Sequence, residues 1–408
     1  MDVKFVGVVG GSIGVDPFDR KTWSGLSHYF FSALNTSGAL HRAFGVQPNA
    51  LLRYALMARS FHPCRRVWRK SFFIECAYRN AATKVIIDRI SLEDLDHPFL
   101  QIGAMFNTPE AVKGRTLCFS YHDGNLAQSI TNNVTLKALS PQKLGAALKY
   151  EMDLYQSLDG IFTTSEYLRD SFVKDFGIPP SRVVNVGAGV NLDRIPALLN
   201  DKNYDTKQIL FIGVEFERKG GWNVLKAFKI LREKHKNAKL HIVGPRALML
   251  PVELSRGVEY HGYLQKADPS HMKKMNQLFR RASLFVMPSV YEPFGVAPLE
   301  AMVNQIPVVV TNRWALREIV RPGFNGALVE PNNVDDLYET MARLLDNPED
   351  LFRMGRNGRE LVQTNYTWEH TASRIIASVK SRVNSRNDYS FNPLPNDNFW
   401  ILDGAKQF

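Results

Sequence analysis

Two glutamates flank a turn in the stretch "PSVYEPFGVAPLEAM", which covers Pro288–Met302. The apolar run "LFVMPS" that leads into it predicts a buried strand, and Pro298 is typical of the first turn of a helix. Backbone N–H groups near Gly295 would then point out of the helix N-terminus, where they favour anions such as phosphate. The carboxylates of Glu292 and Glu300 can accept hydrogen bonds from hydroxyl groups. An ordinary helix start with an exposed glutamate is the alternative interpretation.

A second turn, in "FIGVEFERKGGWNVLKAF", combines two cations with two glycines. A predicted strand ends at Gly213, and Arg218 and Lys219 stand just before the next predicted helix. Two cations at such a turn can clamp a diphosphate, although a solvated turn is the alternative for so short a pattern. Both turns follow carboxyl ends of strands, which is where open α/β sheets bind ligands. We therefore predict a ligand site at these two turns.

Two loops of the N-terminal half also carry candidate residues. The loop "GGSIGVDPFDRKTWSGL" follows the first predicted strand, and Gly25 opens a helix where the backbone can approach a phosphate or a sugar. Its glycines do not fit G-x-G-x-x-G, which argues against a nicotinamide dinucleotide. The run "CFSYHDGN" ends another strand with His122 and Asp123. A histidine there is either structural or directed at a cleft, and the sequence leaves both interpretations open.

Two further patterns resemble metal sites, and we predict no metal at either. The "DLD" run, Asp94–Asp96, has neither a preceding strand nor the small residues that a metal-binding DxD motif needs, and it is expected to be a surface loop. His261, in "YHGYL", has no partner histidine at ligand spacing along the chain.

Short β-type runs alternate with helix-length segments along the whole chain, which predicts parallel sheets in α/β layers. We expect an N-terminal α/β unit over residues 1–200, a second over residues 201–366, and a last helix with a polar tail over residues 367–408. The polar run "LLNDKNYDTKQ" marks the boundary between the two units. The predicted strands are "KFVGVVG", "TKVIIDRI", "TLCFSYHD", "GIFTTS", "VVNVGAG", then "ILFIGV", "AKLHIVG", "VEYHGYL", "LFVMPS", "PVVVTN" and "GALVE".

Composition sets the broad class of the protein. A chain of 408 residues exceeds what one hydrophobic core usually supports, so two domains are expected. Three cysteines, Cys64, Cys76 and Cys118, show no CxxC spacing, which favours a reducing compartment without structural zinc. The N-terminal run carries charges, and no stretch approaches the roughly 20 apolar residues of a membrane span. The expected location is the cytoplasm, with peripheral attachment to the inner face of the cell membrane as an option.

Positive charge is distributed unevenly along the chain, and much of it lies in the basic segment, residues 42–89. It holds ten lysine or arginine residues and two acids, in a chain of net charge +11. A solvated basic face is one interpretation, and attraction to an anionic membrane or to a phosphorylated acceptor is another. The interleaved apolar and aromatic residues of "NALLRYALMARSFHPCRRVWRKSFF" suit an interfacial helix, and the alternative is that the segment lines an acceptor site. Nucleic acid is not expected, since no binding motif accompanies the charge.

Taken together, these motifs make the chain resemble retaining glycosyltransferases of the GT-B fold, in glycosyltransferase family 4 (glycosyl transferases group 1). The resemblance is strongest from Gln208 to about Val334, through "FIGVEFERKGG", "HIVG", "YHGYL", "MPSVYEPFGVAPLEAM", "PVVVTN" and "REIVRPGFNGALVEPNN". The E-x7-E pattern of Glu292 and Glu300 is its most specific element. It extends more weakly to the N-terminal half through "DPFDRKTWSG", "YHDG" and "FTTSEYLRDSF". Its implied architecture is two Rossmann-like domains around a cleft, with a C-terminal helix that crosses back.

The resemblance also implies roles for individual residues. Arg218 and Lys219 would bind the nucleotide diphosphate, although many relatives carry an arginine where this chain has Val214, so the assignment of Arg218 is less direct. Glu300 would hold the ribose hydroxyls, and His122 would contact the donor sugar near the reaction centre. The sugar would also be contacted by Glu292 and by the backbone of Phe294, Gly295 and Val296. Gly25 would approach the phosphates. The base side of the donor would meet backbone near Gly213, Gly244, Gly262 and Tyr263.

The implied reaction is metal-independent transfer of a sugar from a nucleotide sugar, with UDP or GDP as the expected nucleotide, to a glycan, a lipid-linked acceptor or another hydroxyl. No cofactor is expected. A nucleotide-sugar epimerase, a sugar phosphorylase or a non-catalytic sugar-nucleotide sensor would share the fold and remain the alternatives. The intact acidic and basic pairs argue against the non-catalytic alternative.

Overall fold

The computed structural model describes residues 3–11, 15–132, 134–266 and 268–387. Within these residues the strands form two parallel six-stranded sheets, one in each half of the chain. The N-terminal sheet has the strand order β2-β1-β3-β4-β5-β6, and the C-terminal sheet the order β12-β11-β10-β7-β8-β9. The predicted α/β class with two Rossmann-like units is confirmed. The predicted tail after the last helix, residues 388–408, lies outside the described residues.

The N-terminal unit alternates strands with helices, as parallel pairing requires. Short 3₁₀ turns lie at Thr22–Gly25, Glu93–Asp96 and Pro180–Arg182. The strands are β1 Phe5–Gly10, β2 Leu40–Val46, β3 Phe99–Ile102, β4 Cys118–His122, β5 Gly160–Thr163 and β6 Val183–Asn185. The helices are α1 Leu26–Thr36, α2 Ala50–Arg59, α3 Arg65–Phe73, α4 Cys76–Arg89, α5 Thr108–Val112, α6 Leu126–Asn132, α7 Val134–Lys137, α8 Pro141–Ser157 and α9 Glu166–Phe176.

The C-terminal unit repeats this alternation. Its strands are β7 Gln208–Ile212, β8 Lys239–Val243, β9 Val258–Tyr260, β10 Leu284–Met287, β11 Val308–Thr311 and β12 Gly326–Val329. Its helices are α10 Gly221–Lys234, α11 Val252–Ser255, α12 Pro269–Arg281, α13 Val296–Val303, α14 Leu316–Ile319, α15 Val334–Leu345 and α16 Pro348–Asn365, and α17 Trp368–Asn387 follows. The central strands β10 and β11 are buried at every position, which is why they read as unbroken apolar runs in the sequence.

The chain passes between the two units twice, and the two crossings touch. The Val190 N–H donates to the Tyr366 carbonyl at 2.9 Å. Next to this contact, Trp368 Nε1 donates to Asn191 Oδ1 at 2.9 Å. The Trp368 ring then lies 5.8 Å from the ring of Phe30, so α17 begins against α1 of the N-terminal unit.

One predicted strand is wrong, and two strands escaped prediction. The run "TKVIIDRI" belongs to α4, because Tyr78, Ala82 and Ile86 follow each other at helical spacing and are all buried. Its Val-Ile-Ile cluster imitates a strand, yet Ile87 is exposed on the far side of the helix. The missed strand β2 is mixed in burial, and the missed strand β3 is only four residues long. Neither therefore carries a strong periodic signal in the sequence.

The acidic run at Asp94 is not the surface loop that we expected. The Asp94 side chain is fully buried and accepts a hydrogen bond from Arg42 Nε at 2.6 Å. The Ser91 N–H donates to the same carboxylate at 2.7 Å. Burial opposes ionisation, but the hydrogen bonds from Arg42 and Ser91 outweigh it and hold the pKa of Asp94 below its ordinary value. The carboxylate ties the turn before β3 to strand β2.

Replacing Asp94 by asparagine is expected to lower the free energy of unfolding by roughly 1–3 kcal/mol at pH 7, because Arg42 and Ser91 lose a charged acceptor. A carboxylate whose folded pKa is depressed stabilises the protein above its unfolded pKa of about 3.9 and loses this effect as the pH falls through the folded value. The difference in urea midpoint should therefore shrink below about pH 4. Asp96→Asn, at an exposed neighbour, is the control, and an equal loss in that variant would contradict the assignment.

Candidate functional site

Glycines bring the ends of three neighbouring strands together in the C-terminal unit. The Gly213 N–H donates to the Val243 carbonyl at 2.9 Å, and the Gly244 N–H donates to the Gly262 carbonyl at 2.9 Å. Gly244 has a φ of 129°, and a Cβ there would lie 2.5 Å from the carbonyl carbon of Gly213. Only glycine fits such a contact between backbones. The turns after β7, β8 and β9 are therefore held at one edge of the sheet.

The two predicted cations meet the first predicted glutamate at this edge. Glu292 is 6% exposed, and its carboxylate forms an ion pair with the Lys219 ammonium. Arg218 Nη1 lies 3.7 Å from the same carboxylate and donates to the Tyr291 carbonyl at 2.7 Å. Arg218 Nε also donates to Glu215 at 2.7 Å. The structure thus joins the turn after β7 and the loop after β10 into one charged cluster of two cations and two carboxylates.

Three helices in the described part of the chain begin directly after a glycine in the left-handed region. Gly25, Gly220 and Gly295 have φ values of 92°, 78° and 111°, and none supplies a capping side chain to α1, α10 or α13 respectively. By contrast, α9 and α12 begin at the capping residues Ser165 and Asp268. The first N–H groups of these three helices consequently have no side-chain acceptor, and the positive end of each helix is available to an anion.

The second predicted glutamate lies in the first turns of α13. Glu300 is 6% exposed, and its carboxylate pairs with the Lys266 ammonium from the loop after β9. On the same side, the Arg246 guanidinium lies 5.3 Å from the ring centroid of the exposed Tyr263. Phe294 is buried and its ring faces Tyr366, so only its backbone is placed to meet a ligand.

Residues of the N-terminal unit face this edge. Burial, together with the charge of Glu292 across the cleft, raises the pKa of Asp123. Burial is also the main reason why the pKa of Tyr29 is raised, and the charge of Glu300 contributes to that rise. The two glutamates of the C-terminal unit therefore each have an N-terminal group within electrostatic range.

A carboxylate fixes the two units against each other. Glu318 of α14 accepts hydrogen bonds from the backbone N–H groups of Glu166 and Tyr167, both at 2.8 Å. These N–H groups belong to the first turn of α9, where a negative charge is favoured by the helix dipole. Burial raises the pKa of Glu318 to about 6 in spite of these two hydrogen bonds.

The loop before α1 holds an uncommon backbone conformation beside the cleft. Trp23 and Ser24 have φ values of 50° and 57°, and Gly25 follows with a third positive value. Such residues cost of order 1–3 kcal/mol each, and they gather where a loop must present itself to a ligand. The Trp23 indole donates to the Gly10 carbonyl at 2.8 Å, and Asn191 contacts the Ser24 carbonyl, which keeps the loop in place.

His122 stands apart from the other predicted residues. Its ring is 2% exposed, Nε2 lies 2.8 Å from Ser120 Oγ, and the ring packs against Tyr155 and Phe172. Burial lowers the pKa of His122 to about 3, so the ring is neutral near pH 7. The sugar contact predicted for this side chain stays a prediction. The charge of Glu292 acts on the next residue, Asp123, whose pKa it helps to raise.

The basic segment is only partly available to a partner. Arg42 pairs with Asp94, Arg79 is buried against Glu151, and Arg89 donates to a backbone carbonyl, so these three cations are structural. The rest lie on α2 and α3, apart from Lys84 in the second half of α4. Among the described residues, no helix combines the length and the apolar character that crossing a membrane requires.

The expectation that His261 has no partner histidine is wrong. His241 Nδ1 lies 3.1 Å from His261 Nε2, because β8 and β9 are neighbours in the sheet. Spacing along the chain did not reveal this pair, since it forms across strands. The sequence also missed Lys266, the partner of Glu300, because the two residues stand far apart along the chain. Glu215 was missed too, although it stands three residues before its partner Arg218.

Part of the chain is similar to a known family and to proteins of that kind. Residues 199–361 match the family model described as glycosyl transferases group 1. A mannosylfructose-phosphate synthase of Agrobacterium fabrum is 24% identical over 259 residues, which cover 58% of this chain and 56% of that protein. The matched regions cover 54% to 62% of the first three curated relatives, so the match spans little more than half of their length.

Solved structures resemble the chain over almost its whole length. A sucrose-phosphate synthase from Thermosynechococcus elongatus superimposes with a TM-score of 0.68 at 16% identity, over 94% of this chain and 100% of that one. The Anabaena protein HepE, solved in complex with UDP, gives 0.60 at 14% identity, over 93% and 100%. At such identities the likeness establishes the fold, which is the GT-B fold of glycosyltransferases. Within this fold, residues 199–361 are the part that matches the glycosyl transferases group 1 model.

Replacing Gly244 by alanine is expected to destabilise the protein by several kcal/mol, because its φ is unfavourable for other residues and the new Cβ would meet the Gly213 backbone. Gly262→Ala is the matched control. Gly262 also has a positive φ, 70°, but nothing lies within 4 Å of the added Cβ, so about 1–2 kcal/mol is expected. Thermal unfolding of both variants measures the difference in stability. Equal losses of stability would show that the close approach of the strand ends does not make position 244 more sensitive than position 262.

Proposed function

We propose that this chain transfers a sugar from a nucleotide-sugar donor to an acceptor hydroxyl with retention of the anomeric configuration, and that a divalent metal is not needed for the reaction. The observation that carries the proposal is the cluster of Arg218, Lys219 and Glu292 at the edge of the sheet, beside uncapped helix starts at Gly220 and Gly295. Cations and N–H groups suit a diphosphate, and a buried carboxylate suits sugar hydroxyls.

The donor would lie with its diphosphate at Arg218 and Lys219 and its ribose at Glu300. UDP and GDP are the expected nucleotides, and the UDP complex of a protein with the same fold supports the first of them. Gly213, Gly244, Gly262 and Tyr263 would place backbone groups near the base. Phe294, Gly295 and Val296 would supply backbone contacts to the sugar, and Gly25 would approach the phosphates from the N-terminal unit.

The chemical step breaks the bond between the anomeric carbon and the diphosphate oxygen, and that oxygen takes the electron pair. The acceptor oxygen forms its bond to the anomeric carbon on the same face, and the acceptor proton passes to the departing phosphate oxygen. Negative charge therefore grows on the phosphate, where Lys219, Arg218 and the N-termini of α10 and α13 stabilise it. Because this positive charge is already present at the turn, the step has a source of stabilisation without a metal.

These ion pairs have a consequence for donor binding. Glu292 pairs with Lys219, and Glu215 pairs with Arg218. A diphosphate must therefore compete with these two carboxylates for the same cations. We propose that the donor draws Lys219 toward its phosphates, which leaves Glu292 free to accept hydrogen bonds from the sugar.

Replacing Lys219 by alanine is expected to lower turnover by roughly 10²–10³, as does the loss of other groups that stabilise transition-state charge. Turnover is measured as release of nucleoside diphosphate that requires an acceptor. Lys226→Ala, at an exposed lysine of the following helix α10, is the control and should retain activity. Thermal unfolding of Lys219→Arg and Lys219→Ala separates a folding defect from a catalytic one.

Near-normal transfer by the folded Lys219→Ala variant would remove the diphosphate clamp from the proposal. Release of nucleotide without any acceptor would instead favour an epimerase or a hydrolase. Binding of nucleotide sugar without turnover by any acceptor extract would favour a non-catalytic sensor. Proton NMR of the product reports the anomeric configuration, and inversion would contradict the retaining assignment.

For the acceptor, we propose a lipid-linked or surface-bound glycan that the protein reaches by docking on an anionic membrane. Helix α2 exposes Leu51 and Tyr54, which are 82% and 66% accessible, and Phe61 follows at 67%. The exposed arginines Arg65 and Arg66 begin α3 directly after this apolar group. Apolar side chains beside arginines suit a bilayer surface that carries negative charge.

The same segment approaches the donor site at its other end. Lys70 of α3 interacts electrostatically with Glu215 and Arg218 of the opposite unit. A surface that binds the membrane through Leu51 and Tyr54 would thus hold the cleft close to an acceptor embedded in that membrane. One surface would then bind the membrane at one end and line the acceptor site at the other.

Co-sedimentation with vesicles tests the membrane surface. The protein is expected to bind phosphatidylglycerol-containing vesicles but not phosphatidylcholine vesicles, with binding that weakens as salt rises because the charges are screened. Arg65→Glu/Arg66→Glu and Leu51→Ser/Tyr54→Ser should both reduce binding. Met249→Ser, at an exposed apolar residue of the other unit, is the control. Absence of binding at every salt concentration would remove the membrane from the proposal.

A further inference from the structure

Three side chains with metal-binding atoms converge at the β8–β9 edge of the C-terminal sheet. His241 Nδ1 lies 3.1 Å from His261 Nε2 and 3.3 Å from Glu259 Oε2. Within the described residues, these three side chains form the one group of at least three histidine, cysteine or acidic residues whose ligand atoms all lie within 4.8 Å of one another.

The sheet itself sets this arrangement. His241 on β8 pairs in register with Glu259 on the neighbouring strand β9. Side chains two residues apart in a strand share one face, so His261 follows Glu259 on the side that His241 occupies. The His261 N–H donates to the Ile242 carbonyl at 2.9 Å, which continues the ladder and fixes the backbone of His261. The three ligand atoms are thus placed by backbone pairing and not by flexible loops.

The hydrogen bonds around His241 leave its Nδ1 as a lone-pair donor. His241 Nε2 lies 3.0 Å from Gln208 Oε1, and an amide oxygen only accepts, so Nε2 carries the ring proton. Nδ1 therefore faces Glu259 Oε2 without a proton between them. Two acceptors at 3.3 Å repel each other unless a cation or a donor separates them, and His261 Nε2 supplies at most one proton to this group.

We propose that His241 Nδ1, His261 Nε2 and Glu259 Oε2 bind one divalent transition metal of the zinc type. Tetrahedral zinc with bonds of about 2.0–2.1 Å places its ligand atoms about 3.3 Å apart. The observed separations of 3.1 and 3.3 Å already match this value. Two imidazoles and one carboxylate are ligands that zinc takes, and a fourth position is left for water.

The surroundings fit a stabilising site better than a catalytic one. Gln208 acts as the outer hydrogen-bond partner that orients His241, as metal-bound histidines commonly require. Lys239 Nζ holds the other carboxylate oxygen, Glu259 Oε1, at 2.7 Å, which leaves Oε2 directed at the histidines. The positive charges of Lys239 and Lys274 lie near the histidines and moderate the affinity for a cation.

A metal here would join the edge strand β9 to β8 and fix the start of the loop that carries Gly262 and Tyr263. It does not replace the cations of the Lys219 cluster, which lies on the turn after β7. The inference therefore does not depend on the proposed transfer reaction, and its tests need no substrate.

Cobalt(II) added to protein that has been freed of metal with a chelator tests the site. One equivalent is expected to bind and to give a d–d absorption spectrum without the charge-transfer band of a thiolate, which excludes the free cysteines. His261→Gln and Glu259→Gln should each weaken cobalt binding at least tenfold, and Gln208→Ala should weaken it by roughly 10–100-fold. Zinc should raise the melting temperature of the unaltered protein and not that of His261→Gln.

His97→Gln is the matched control. His97 and His41 form a second histidine pair, with ring centroids 4.3 Å apart, in the N-terminal unit. This variant should bind cobalt as the unaltered protein does. Less than one equivalent of cobalt, a thiolate spectrum, or equal binding by His261→Gln and His97→Gln would overturn the proposal and leave an ordinary hydrogen bond between two histidines.

Discussion

The ion pair between Lys219 and Glu292 joins two turns that lie far apart in the sequence. Removing one partner of a buried pair costs several kcal/mol, because the other charge is left without compensation. The turn after β7 and the loop after β10 are therefore held together. Only glycine fits at position 220, because a Cβ there would meet the Pro288 carbonyl. The positions of Arg218 and of the α10 and α13 N-termini follow from this contact. The charged edge of the sheet is built around it.

Much of the fold could be predicted, because buried parallel strands appear in the sequence as apolar runs of four to six residues. Strands β7, β10 and β11 are of this kind. The run around Ile86 was wrongly predicted as a strand, because β-branched residues in one helical turn resemble a strand pattern. Strand β2 was not predicted, because its first half is only partly buried. Asp94 was misjudged because the arginine that buries it stands 52 residues away along the chain.

The site could be predicted where its residues lie within one motif. Glu292 and Glu300 belong to one turn and helix, and Arg218 and Lys219 are adjacent, so their types and spacing were visible. Partners that meet across elements were not, as Lys266 and His241 show. The fold class is confirmed, whereas the roles assigned to individual residues and the limits of the domains stay predictions.

The two crossings between the units lie side by side, since the Val190 N–H bonds to the Tyr366 carbonyl and Trp368 bonds to Asn191. Two adjacent connections restrict a relative rotation of the units more than one connection would. Such a rotation would also have to break the two hydrogen bonds by which Glu318 holds the first turn of α9 across the cleft.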